Sequence, residues 1–128
     1  MDLPTLDNVI SKSDVEKVIL RWCEGRLSNT DFYEWVNGNY FPLSKEIDPN
    51  EEAHTQLALN LVLNEFGCTQ PDGYRREGAT AAIDFINTTR LDFRVKLERF
   101  LTNCFATTPS SAELNRILDR HRSILSDH

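Results

Sequence analysis

Apolar residues are most tightly grouped between Pro49 and Phe66, in the stretch PNEEAHTQLALNLVLNEF. At 100° per residue, Glu52, Gln56, Asn60 and Asn64 fall on one narrow polar stripe. Leu57, Ala58, Leu59, Leu61, Val62, Leu63 and Phe66 face the other way. That arc covers about two-thirds of the circumference, against the roughly 100° of a surface helix. The pattern therefore predicts a central helix with neighbours on several sides and Leu61 fully buried. Its predicted ends are Asp48 as N-cap, Pro49 as first helical residue and Gly67 as a left-handed C-cap, with Glu51 and Glu52 favouring the positive end of its dipole.

Other segments supply the neighbours. Residues 1–12 have no helical period and read as an extended lead-in. Ser13 with Glu16 predicts a capping box, followed by a face of Val15, Val18, Ile19, Trp22 and Cys23 and a stop at Gly25. Ser28 with Asp31 predicts the start of a short second helix carrying Phe32, Trp35 and Val36 and ending at Gly38. The stretch NGNYFPLSKEID, 37–48, reads as a loop, and TQPDG, 69–73, as a turn. A fourth helix is predicted over Tyr74 to Asn87, with Ala79, Ala82, Ile83 and Ile86 on one face and Gly78 allowing close approach of a neighbour.

The stretch 91–97 alternates like a strand, yet Phe93, Leu97, Phe100, Leu101 and Cys104 also make a helical face. Helix is preferred, because a lone strand would leave its backbone groups unpaired. Ser110 with Glu113 opens a last helix with a face of Leu114, Ile117, Leu118, His121 and Leu125. The fold expected is all-α: one domain over residues 1–128, a bundle of about six helices around residues 49–66.

Charge changes the picture more than composition does. The net charge is −6. Residues 1–66 carry twelve acidic and five basic side chains, whereas residues 67–128 carry eight and nine. Such an acidic first half repels phosphates and suits a basic protein partner better than nucleic acid. No run of about 18 apolar residues predicts a membrane span, and the N-terminus lacks the basic start and apolar stretch of a signal peptide. Cys23, Cys68 and Cys104 are odd in number and form no Cys-x-x-Cys, which fits a reducing cytoplasm better than a disulfide framework.

Candidate chemistry is sparse. Glu51 and His54 have the Glu-x-x-His spacing of di-iron bundles, but the second copy and further glutamates are missing, so no metal or other cofactor is expected and His54 reads as a helix-boundary residue. His121 reads as a core or edge histidine, and Cys23 and Cys104 as small hydrophobes. Cys68, after a helix C-terminus, lacks the dipole end that would activate it. The arginines of the second half read as a solvated surface. No catalytic residue is assigned. The candidate partner-binding set is Asp31 and Glu34 on the second helix, Tyr40 and Phe41 in the loop, and Glu46, Asp48, Glu51 and Glu52 running into the central helix. The acids supply steering and the two aromatics either anchor a partner or fold inward as core, an alternative the sequence leaves open.

The run WCEGRLSNTDFYEWV, followed by a long apolar helix, resembles small acidic helical immunity proteins that accompany bacterial toxins, including those of contact-dependent growth inhibition. The resemblance spans roughly residues 13–66 and carries over no individual residue. It implies a cytosolic, non-enzymatic protein that binds a cognate basic toxin domain, often a nuclease, and occludes it. Two other readings fit the same residues: a helical adaptor or regulatory subunit without a toxin partner, and an enzyme or metal-binding bundle centred on Glu51 and His54.

Overall fold

In the computed structural model, described over residues 9–40, 46–106 and 110–122, six α-helices and one two-stranded parallel ladder are seen. The order is β1 (Val9–Ile10), α1 (Lys12–Cys23), α2 (Asn29–Asn39), β2 (Glu46–Ile47), α3 (Ala53–Cys68), α4 (Ala79–Ile86), α5 (Phe93–Cys104) and α6 (Ser111–Arg120), with 3₁₀ turns at Pro71–Gly73 and Arg76–Gly78. The all-α expectation holds, with α3 as the central helix. Residues 93–104 are helix: Phe93, Leu97, Phe100, Leu101 and Cys104 are buried, and Leu91 and Val95 are exposed.

Several boundaries differ from expectation. The capping box of α1 is Ser11 with Asp14 rather than Ser13 with Glu16; Ser11 Oγ accepts from Asp14 N, and the Asp14 carboxylate accepts from Ser11 N. Residues 9–10 are strand rather than irregular lead-in, pairing Val9 with Glu46 and Ile10 with Ile47. Gly38 lies inside α2, which runs on to Asn39, and Gly67 lies inside α3, whose C-cap is Thr69. The expected left-handed glycine occurs at Gly25 instead, where φ is 77° just beyond the end of α1. There it costs a side-chain-bearing residue about 1–2 kcal/mol.

The start of α3 is the largest revision. Asp48 and Pro49 do not open the helix. Asp48 Oδ1 accepts from Asn50 N at 2.9 Å, closing an Asx turn, and the N-cap is Glu52, whose side chain makes no capping bond. Leu61 is only half-buried, while Leu57, Ala58, Leu59, Val62, Leu63 and Phe66 are buried as the arc predicts.

The fourth helix starts five residues later than expected, at Ala79 instead of Tyr74. Tyr74 pairs with Phe105 in an isolated antiparallel bridge, Arg75 N donates to Cys104 O, and Ala106 N donates to Gly73 O. These bonds divert the backbone that would otherwise have begun α4. At Gly78 the chain touches the end of α5 so closely that an added Cβ would lie 2.2 Å from Asn103 O. The Cys104 thiol donates to Gly78 O at 3.0 Å, and burial pushes it up to about 12, an inert group.

Aromatic rings fill the space around the C-terminal half of α3. Phe66 is surrounded by Trp22, Phe32, Tyr74, Phe100 and Phe105, with ring centroids 4.6–5.7 Å away. Polar ends of the rings are satisfied, as buried donors must be. The Tyr74 hydroxyl donates to Phe66 O, and Trp22 Nε1 donates to Asn29 Oδ1 at 2.7 Å. Trp22 and Trp35 are both core, as expected.

Candidate functional site

α2 runs antiparallel to α3. Asn29 Nδ2, at the start of α2, donates to Pro71 O just past the end of α3, and Tyr40 Oη, at the end of α2, donates to Asn60 Oδ1 at 2.8 Å in the middle of α3. The chain then reaches β2, beside the start of α3. α3 has 16 residues. At about 1.5 Å per residue it is roughly 24 Å long, and this length divides the predicted binding set into two groups.

At the N-terminal end of α3 the carboxylates are largely engaged by the fold. Glu51 Oε2 accepts from Lys12 N at 2.7 Å, so it caps α1, a helix 39 residues earlier, rather than α3. Asp48 closes its own turn, and Gln56 Nε2 donates to the Glu51 carbonyl at 2.8 Å. Glu52 is exposed with its Oε2 3.7 Å from His54 Nδ1, and Glu46 is exposed on β2. Tyr40 is half-buried, bonded to α3 and raised above its ordinary value chiefly by burial; it folds inward rather than outward. Phe41 lies outside the described residues.

At the C-terminal end the carboxylates are spare. Ser28 Oγ accepts from Asp31 N and fixes the first turn of α2, leaving the Asp31 and Glu34 side chains exposed. Neither forms an ion pair among the described residues. The turn Pro71–Gly73 joins this edge to a groove between α3, the end of α5 and α6. The groove encloses about 230 Å³ and is lined by Glu65, Thr69, Leu101, Phe105, Glu113 and Ile117, with Gly73 at its edge. Ser110 Oγ accepts from Glu113 N, which starts α6 with Glu113 in its first turn. Glu65 is half-buried, and its carboxylate has no hydrogen-bond or ion-pair partner among the described residues. Burial, and secondly the nearby Glu113, raise it above the ordinary carboxylate value.

Sequence reasoning missed Glu65 and Glu113. The available signal was Glu65 itself, the only acidic residue between Ala53 and Cys68, one position beyond the polar stripe and next to Phe66. Its partner across the groove comes from a helix 48 positions later, which no local pattern reveals. Among the described residues no three of His, Cys, Asp and Glu come together as a metal-binding group, and no helix is long and apolar enough to cross a membrane. His121 caps the end of α6 and is held below its ordinary value by burial and by Arg120. Compared with protein-family models, curated proteins and solved structures, the chain matches none.

Proposed function

We propose that this is a non-enzymatic binding protein, an immunity-type inhibitor that occludes a basic toxin domain in the cytoplasm. The observation that carries the reading is a set of carboxylates around the C-terminal end of α3 that no cation pairs with among the described residues: Asp31 and Glu34 on α2, and Glu65 and Glu113 in the groove. Exposed carboxylates without a cation partner favour fast association with a basic surface and cost the fold little when solvated. A cation also lies in this region: the Arg76 guanidinium donates to Leu27 O beside the start of α2. The binding surface is thus centred on α2 and the turn 71–73. It retains Asp31 and Glu34 from the set chosen on sequence and gives Glu46 and Glu52 a more distant steering role.

The test begins with the reading frame adjoining this gene. Its toxin domain, expressed in a host cell, should arrest growth, and co-expression of this protein should restore it. Reversing both charges in D31K/E34K should slow association about tenfold at low salt while leaving the melting temperature near wild type. Absence of a toxin domain beside the gene, or of a complex with it, would overturn the reading.

A further inference from the structure

The groove between α3, α5 and α6 has a chemistry more specific than negative charge. Leu101, Phe105 and Ile117 give it apolar walls, while Glu65 and Glu113 bring two carboxylates to the same small volume. Among the described residues no Lys or Arg lines it. An unpaired, half-buried carboxylate is costly, and a second one beside it adds repulsion. A ligand that relieves both must bring a cation on an apolar stem. Arginine fits better than lysine: its three-carbon stem packs on apolar walls, and its planar, weakly hydrated guanidinium can meet two carboxylates at once.

We propose that this groove seats an arginine side chain from a protein partner, with the guanidinium between Glu65 and Glu113 and the stem against Leu101, Phe105 and Ile117. The inference rests on reading the protein as a binding module and names the contact that module makes. Charge complementarity selects the occupant, and the turn 71–73, whose Pro71 O accepts from Asn29 Nδ2 and whose Gly73 borders the groove, joins it to the start of α2, where Asp31 lies.

The proposal is tested without any toxin domain. N-acetyl-arginine amide is titrated into the ¹⁵N-labelled protein, with N-acetyl-citrulline amide as its neutral near-isostere. Expected are shifts confined to residues around Glu65, Thr69, Leu101, Phe105 and Glu113, no response to citrulline, and binding weakened about tenfold or more in Glu65→Gln and in Glu113→Gln. Both substitutions keep size and polarity at partly open positions, and each variant's unperturbed spectrum reports its fold. Equal response to citrulline, unchanged binding in folded Gln variants, or no shifts up to the solubility of the probe would overturn the proposal. Groove shifts produced by raising the protein concentration alone would assign the occupant to a second copy of this chain, and would also overturn it. The two readings fail separately. A toxin domain that binds the Gln variants as tightly as wild type removes the groove and leaves the inhibitor; an arginine probe that binds while the toxin domain does not removes the inhibitor and leaves the groove.

Discussion

The two ends of α3 are held by different chemistry, and the difference separates structural from available charge. At the N-terminal end the β1–β2 ladder, with Ile10 and Ile47 buried, and the Glu51 cap on Lys12 N form a corner tied by polar hydrogen bonds in which carboxylates serve as acceptors. The Tyr40–Asn60 bond adds a polar tie at mid-helix. At the C-terminal end, Phe66 and its surrounding rings supply the cohesion, and the nearby carboxylates are left over. An acidic count alone does not distinguish the two. Whether a carboxylate serves recognition depends on whether a backbone amide has already claimed it.

The largest effect that separates the ends is expected at Phe66. Phe66→Ala should cost about 3–5 kcal/mol, since it empties the space among the surrounding rings. Leu61→Ala, at a half-buried position of the same helix, should cost clearly less in a denaturant melt. Equal losses would remove the distinction between a ring-packed face and an open one. Next is Gly78→Ala, whose Cβ would collide with backbone at Asn103 and should cost about 1–3 kcal/mol or more. A neutral result in thermal unfolding would mean the contact between α5 and the turn before α4 is not tight.

At the polar corner, Glu51→Ala should cost about 1 kcal/mol through loss of the cap on α1. The loss should appear as faster amide exchange at the start of α1. If exchange rises instead only at the start of α3, Glu51 serves the helix it adjoins, as the sequence suggested.

Smaller still is the effect at Glu65, near the C-terminal end of α3. Because burial and Glu113 raise Glu65 in the folded state, its ionised form opposes folding. The native state then binds more protons than the unfolded chain between the ordinary value of 4.5 and the raised one, so this contribution to stability falls as pH rises through that window. Glu65→Gln should therefore be the more stable protein at neutral pH, with the advantage shrinking as pH drops toward 4.5. Thermal melts of both proteins across that range check it; an advantage constant with pH would place its cause outside this ionisation.

Much of the fold was legible because its signals are local. Ser28 and Ser110 cap the helices they precede, Gly25 ends α1 with a positive φ, and the faces of α1, α2 and α5 are buried as their periodicity requires, except that Cys23 at the end of α1 is half-buried. The start of α3 misled because Asp48 and Pro49 have the composition of a helix N-terminus, yet Asp48 N is drawn to Ile10 O and the Glu51 carboxylate to Lys12 N, both across long stretches of chain. Gly67 misled because a glycine within a well-packed helix costs only about 1 kcal/mol, less than the burial around Phe66 returns. For the site, the sequence identified an acidic half but could not tell engaged carboxylates from spare ones. Asp31 and Glu51 look alike as residues and differ only in what the fold brings to them.

For the proposed inhibitor function, the most direct test of that distinction is the association rate with a toxin domain encoded beside this gene, followed by surface plasmon resonance at two salt concentrations. D31K/E34K should associate about tenfold more slowly than wild type at low salt, with a weaker salt dependence and an unchanged melting temperature. Glu51→Gln should lose some stability yet associate at the wild-type rate. The opposite pattern, with D31K/E34K unaffected and folded Glu51→Gln slowed, would contradict the account and move the interface to the N-terminal end of α3.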